Sequence, residues 1–89
     1  MKYFSVFLPM LNSEKSDRFQ TQHLEFLRKL KLEGRVYAHG QFVDGAGELV
    51  IYQADSYKQV ESCVKRDPYV VEQARDYEIH EWEMVIENQ

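Results

Sequence analysis

Apolar and polar positions follow two periods along this chain, and the periods predict four strands and two helices. Segments 3–8, 36–42, 48–54 and 75–87 are apolar runs or alternate with a period of two, which is typical of β-strands. Segments 16–33 and 57–66 repeat apolar residues at helical spacing. The order β-α-β-β-α-β predicts an α+β fold with ferredoxin-like topology, in which both helices cover one face of a four-stranded antiparallel sheet.

Local signals fix the boundaries of these elements. Asp44 to Gly47 predict a hairpin between strands 2 and 3, and Gly34 is expected to end the first helix. Ser56 and Gln59 fit a capping box that starts the second helix. Gly40, inside strand 2, predicts a bulge or a close approach of two backbones. A phosphate-binding loop is not favoured at the hairpin glycines, because no lysine follows and no helix opens there.

The first strand carries apolar side chains on both faces. Phe4, Val6 and Leu8 fall on one face, and the opposite face holds Tyr3, Ser5 and Phe7. Exposing a sheet face of that kind to water is energetically unfavourable. We therefore expect a homodimer that packs the two helix-free sheet faces together.

Composition narrows the class of protein. A length of 89 residues predicts one domain, 1–89, and 44% hydrophobic residues exclude a disordered segment. The net charge of −4 argues against a nucleic-acid partner. The single cysteine, Cys63, excludes an intrachain disulfide, and no apolar run predicts a membrane span or a signal peptide. These features predict a cytoplasmic protein.

Two residues stand out as candidates for chemistry. His23 falls in the middle of the apolar stripe of the first helix, where a lone histidine is more often a hydrogen-bonded core residue than a catalyst. Pro68 ends the second helix and fixes Asp67 at its end, and the spacing from Val60 and Val64 directs Asp67 towards the sheet. A carboxylate bound to one imidazole nitrogen would set the tautomer and leave the other nitrogen free as a base. Neither zinc nor another cofactor is predicted, because no element carries a paired set of ligands.

The order and spacing of several short motifs resemble the YciI-like (YCII-related) family over essentially the whole chain. The motifs are His23-Leu24-x-x-Leu27, Gly34-Arg35, Gly40 and Asp67-Pro68-Tyr69. The resemblance implies a dimeric α+β barrel of ferredoxin-like protomers. It also implies that His23 and Asp67 form the histidine–aspartate pair that has been proposed for acid/base chemistry in this family.

The resemblance further implies a small-molecule ligand, since one member is a dehydrochlorinase of a chlorinated hydroxyhydroquinone. The corresponding hypothesis is an enzyme for proton abstraction, isomerisation or elimination on a small cyclic or aromatic compound. Tyr69, His39, Tyr37 and Ser5 are its candidate substrate contacts. Gln41 and Trp82 depart from residues that are common in the family, so the rim of the pocket is expected to differ. The alternatives are a binding module without turnover and a structural dimer.

Overall fold

The computed structural model describes residues 1–87, which form eight elements. Their order is β1 (Lys2–Pro9), α1 (Ser13–Arg18), α2 (Gln20–Leu32), β2 (Val36–Gln41), β3 (Gly47–Ala54), α3 (Tyr57–Val64), α4 (Pro68–Val71) and β4 (Glu78–Trp82). The strands lie in the order β2-β3-β1-β4, and each neighbouring pair is antiparallel. The predicted α+β class with a four-stranded antiparallel sheet is confirmed.

The core lies between one face of the sheet and the helices. Strand β1 alternates strictly, so that Phe4, Val6 and Leu8 are buried while the residues between them are only partly covered. Leu27 of α2 and Val60 of α3 belong to the same buried cluster. Both long helices therefore pack on the Phe4 face, which leaves the Tyr3 face free of helices.

The helix that the pattern predicted over 16–33 is two helices. Asn12 caps α1 by accepting a hydrogen bond from the backbone N–H of Lys15, so helical structure begins earlier than predicted. At Phe19 the backbone leaves the helical region, with φ −103° and ψ 12°. His23 N–H still donates to the Phe19 carbonyl, so α2 begins directly after the break and carries His23 in its first turns.

The last strand is shorter than the predicted segment 75–87. It pairs only with β1, and Trp82 lies opposite Tyr3 near the beginning of that strand. Few residues of β1 remain beyond this point to pair with the chain after Trp82, so the alternation there does not produce a strand. At the other end Arg75 forms only an isolated antiparallel bridge with Met10, outside β4, and its side chain is buried.

The period of two in segment 36–42 predicts that Tyr37 and His39 share a face, but a register shift between Val36 and Ala38 places them on opposite faces. The Tyr37 ring lies edge-on to Tyr3, on the helix-free face, at a centroid distance of 5.7 Å. His39 pairs with core-facing Val50, on the helix side. A β-bulge inserts an extra residue and so breaks the alternation on which the prediction relied.

Two smaller predictions also differ from the structure. Tyr57, which was expected in the buried stripe of the second helix, is 46% exposed, and Cys63 is buried on that helix together with Val60 and Val64. The capping box is present, with Ser56 Oγ accepting from Gln59 N–H at 3.3 Å. Gln59 reaches back to the N–H of Asp55 at 2.9 Å, one residue before the expected partner.

The close backbone approach that was predicted at Gly40 lies instead at Gly47. Gly47 has φ +151°, and a Cβ atom there would collide with the Leu8 carbonyl, whereas a Cβ on Gly40 meets nothing within 4 Å. We expect Gly47→Ala to lower the free energy of unfolding by roughly 2–4 kcal/mol because strain and a clash coincide. Urea denaturation measures the loss, with Gly40→Ala as the matched control. Equal stabilities of the two variants would contradict this assignment.

Candidate functional site

His23 lies between two carboxylates in the interior of the protein. Its Nδ1 is 2.7 Å from Asp67 Oδ1, and its Nε2 is 2.6 Å from Glu48 Oε1. His23 and Glu48 are 0% exposed and Asp67 is 1% exposed. The three side chains come from α2, β3 and the start of α4, and we call them the His23 cluster.

Asp67 is held by the backbone around it. Pro68 is the first residue of α4 and pushes Asp67 into an extended conformation, which is the geometry of an N-cap. Asp67 Oδ1 accepts a hydrogen bond from Tyr69 N–H at 2.9 Å and also faces His23 Nδ1. One carboxylate oxygen thus caps α4 and binds the imidazole.

Glu48 is the member of the cluster that sequence reasoning missed. It lies near the start of β3, and its alternation with Val50 and Tyr52 places it on the core face. That alternation was the available signal, because a charged residue in register with two buried apolar ones needs a buried partner. His23 supplies the partner.

The surroundings of His23 decide its charge. Burial disfavours the imidazolium, but the hydrogen bonds to Asp67 and Glu48 and the charges of both carboxylates outweigh it, so the pKa of His23 rises to about 9. At neutral pH the ring is therefore a cation that donates from both nitrogens. The free second nitrogen that the sequence predicted is occupied by Glu48.

An aromatic ring and a guanidinium extend the cluster. The Tyr69 ring stacks on His23 with a centroid distance of 3.9 Å, and the Arg75 guanidinium lies 4.7 Å from the centroid of Tyr69. Arg75 is buried and donates to the Ser16 hydroxyl at 2.9 Å and to Gln41 Oε1 at 3.1 Å. This places a second buried cation against the Tyr69 ring that stacks on His23.

Two buried side-chain atoms within residues 1–87 lack a hydrogen-bond partner, and both belong to this region. They are Glu48 Oε2, an acceptor, and Arg75 Nε, a donor. Gln41 links them, because its side chain accepts from Arg75 and its backbone lies opposite Glu48 across the β2–β3 ladder. Buried polar atoms without a partner are costly, so this region is held at an energetic cost to the fold.

His39 connects the cluster with the surface. Its Nδ1 lies 3.4 Å from Glu48 Oε2 without hydrogen-bond geometry, and its side chain is 29% exposed. Four of the predicted site residues are thus brought together: His23, Asp67, Tyr69 and His39. Ser5 and Tyr37 are not, because both face the helix-free side of the sheet.

Two surface cavities are formed by other parts of the chain. One, of about 280 Å³, includes Ala38, His39, Phe42 and Ile51 on strands β2 and β3. The other, of about 470 Å³, lies between α3 and the end of β3. None of His23, Glu48 and Asp67 lines either cavity, so the His23 cluster is sealed within the described protomer.

Within residues 1–87, no group of three or more His, Cys, Asp or Glu side chains is arranged to hold a metal ion. Among the helices that the structure describes, none has the length and apolar character that a membrane span requires.

Comparisons with known proteins agree with the motif pattern. The YCII-related domain matches residues 1–83. The uncharacterized protein YjpA of Bacillus subtilis is 28% identical over 82 residues, which cover 92% of this chain and 96% of that protein. Among solved structures, the 5-chloro-2-hydroxyhydroquinone dehydrochlorinase of Burkholderia phenoliruptrix, in complex with 2,5-dihydroxybenzoquinone, superposes with a TM-score of 0.79. It is 19% identical, and the match covers 91% of this chain and 93% of that one.

Proposed function

This chain belongs to the YCII-related domain family, and we propose that it is an acid/base enzyme acting on a small cyclic compound with hydroxyl or carbonyl groups. The observation that carries the proposal is Glu48 Oε2, a buried carboxylate oxygen without a partner that faces a partly exposed imidazole. Catalytic bases are commonly held in such environments.

In this proposal Glu48 exchanges the proton with the substrate through His39, which lines the 280 Å³ cavity, because Glu48 itself is fully buried. Its Oε1 is bound to the His23 imidazolium, which holds the carboxylate in place, and its Oε2 is left to accept. His39 lies next to Oε2 and is partly exposed, so its ring can pass the proton on to water. Asp67 keeps His23 protonated and oriented, so that the His23–Asp67 pair acts through Glu48.

The exposed part of His39 also suggests the substrate class. A substrate hydroxyl group can donate its hydrogen to an imidazole nitrogen there. Hydroxylated rings such as quinols present such groups. A solved structure with the same fold, 19% identical, is a dehydrochlorinase of a hydroxylated aromatic compound, which supports this choice of class.

The proposal is tested with 5-chloro-2-hydroxyhydroquinone as substrate and 2,5-dihydroxybenzoquinone as ligand. Glu48→Gln keeps the size of the side chain but removes the base, so turnover should fall at least about a hundredfold. His39→Gln should slow turnover too. Glu25→Gln and His80→Gln, at exposed positions, are the matched controls. Wild-type activity in Glu48→Gln, or a wild type that neither binds the quinone nor converts the quinol, would contradict the proposal.

We further propose that the protein is a homodimer through the helix-free sheet face. Tyr37, Phe42 and Trp82 are each more than 40% exposed, and their ring contacts or strand pairing place them on this face. The same strands carry the 280 Å³ cavity, which a second copy would cover. Sedimentation at micromolar concentration should give a dimer, and Phe42→Glu should give a folded monomer. A monomeric wild type would contradict this proposal.

A structural dimer is the second candidate, and the burial of His23 favours it. An imidazole with no exposed surface and both nitrogens bonded has the contacts of a core residue. Under this alternative Glu48→Gln lowers stability but no pocket ligand binds. Ligand binding to the wild type, measured as a rise in Tm with 2,5-dihydroxybenzoquinone, separates the two candidates.

A further inference from the structure

We propose that the cavity of about 470 Å³ between α3 and the end of β3 binds a small organic anion, a carboxylate or phosphate monoester, between Arg35 and Arg66. Arg35 follows the C-terminal end of α2, and Arg66 follows α3. Both line the cavity, with Cys63 and Tyr52 between them. None of the three members of the His23 cluster belongs to this lining, so the inference does not depend on the proposed catalytic role.

The first argument is the convergence of two cations on a poor acceptor. Arg35 Nη1 is 3.7 Å and Arg66 Nη2 is 3.6 Å from the sulfur of Cys63. A neutral thiol is a weak acceptor, and two guanidinium groups that contact one sulfur atom carry like charges, which repel each other. An anion bound between them would relieve the repulsion.

The second argument is that each guanidinium keeps donors for a ligand. Arg35 Nε is 3.5 Å from Glu33, and Arg66 Nε donates to the Ser62 carbonyl at 3.2 Å. These contacts orient the two side chains. Arg35 Nη2 and Arg66 Nη1 make no hydrogen bond to any residue in the range 1–87. The planar forks of two arginines match the oxygens of a carboxylate or phosphate.

The third argument is the Tyr52 hydroxyl. Tyr52 lines the cavity and is only 2% exposed, yet its hydroxyl makes no hydrogen bond within the part of the chain that the structure describes. Burial, and after it the negative charge of Asp67, raises the pKa of Tyr52, so the phenol stays protonated. A phenol O–H group on the cavity wall is a donor, and an oxyanion is a strong acceptor for it.

Size and charge define the ligand further. A volume of about 470 Å³ lies in the range of small-molecule sites, roughly 300–1,000 Å³. Lys58 adds a third cation to the lining, while Glu33 and Asp55 are acidic. This balance suits one anionic group rather than a polyanion. Val60 provides an apolar wall, which suits a short organic body attached to that group.

The experiment is a titration of the ¹⁵N-labelled protein with benzoate and with phenyl phosphate, at constant ionic strength. The amide signals of Arg35, Cys63 and Arg66 should move, and the preference between the two probes identifies the anionic group. Arg35→Gln and Arg66→Gln should each raise Kd about tenfold or more, since each removes a charged donor. Arg28→Gln, at an exposed position outside the cavity, should leave Kd unchanged. Equal Kd values in all variants, or no binding of either probe, would overturn the proposal.

The alternative is that Cys63 itself is the anion, held as a thiolate by the two arginines. Cys63→Ser separates the two cases, because serine cannot supply that charge at neutral pH. Binding retained in Cys63→Ser supports a ligand site. The thiolate of the wild type is measured by its absorbance at 240 nm. A thiolate at neutral pH, together with no probe binding, would overturn the proposed ligand site in favour of a thiolate held by the two arginines.

Discussion

Raising the pH from 6 to 9.5 is expected to lower the free energy of unfolding by about 3 kcal/mol through His23 alone. The pKa of His23 is about 9 in the folded protein, against an ordinary value near 6.5. A group whose pKa is raised by folding stabilises the folded state fully below the unfolded value, and its contribution disappears as the pH rises through the folded value. The loss should therefore fall between pH 6.5 and pH 9.

Urea denaturation at several pH values in this range measures how steeply the free energy of unfolding changes with pH. Two variants test whether His23 causes that slope. His23→Gln removes the titrating group, so its stability should depend far less on pH than that of the wild type. His80→Gln removes an exposed imidazole, which pairs only with Glu78 at the surface, and should keep the wild-type slope. If His23→Gln retained the slope, the buried imidazolium would not be its cause.

Asp67→Ala should be among the most damaging single substitutions in the protein, with a loss of about 3–5 kcal/mol. It removes one of the two carboxylates that compensate the buried His23 cation, and it removes the cap of α4. The free energy of unfolding at pH 6 is the measurement, because His23 is protonated there. A loss of this size is a large fraction of the stability of a small domain, about 5–15 kcal/mol.

Two further substitutions are the comparisons for the stability loss of Asp67→Ala. Asp67→Asn keeps an oxygen that can accept from the Tyr69 N–H and loses only the charge, so it should be less damaging than alanine. Asp17→Ala, at an exposed position, should change stability by less than about 0.5 kcal/mol. Asp67→Ala with the stability of Asp17→Ala would show that the cluster contributes nothing.

The four-stranded antiparallel sheet was within reach of the sequence because alternation marks its strands, and the meeting of His23 with Asp67 was implied by the family resemblance. Alternation fixed the two faces of β1, and Pro68 fixed the place of Asp67. The face of Tyr37 was out of reach, since a β-bulge leaves no mark in the hydrophobic pattern. The end of β4 could not be predicted either, because it depends on where the partner strand β1 begins. The alternation within β4 carries no information about that.

The role of Glu48 was not predicted, for a different reason. Its buried position could be inferred from its register with Val50 and Tyr52, but not its partner, since that depends on how α2 crosses β3. The consequence for His23 is large. With one carboxylate the ring would have had a free nitrogen, and with two it is a buried cation whose pKa is about 9.

The two bonds of His23 join positions that are 44 and 25 residues apart along the chain. In a protein whose single cysteine cannot form an intrachain disulfide, they tie one helix to a strand and to the segment after α3, as a covalent cross-link would. Unlike a disulfide, this tie leaves the unfolded chain unrestrained, so it stabilises only the native state. The loss of a single proton removes one of the two bonds, because a neutral imidazole keeps only one N–H donor, and no redox chemistry is needed.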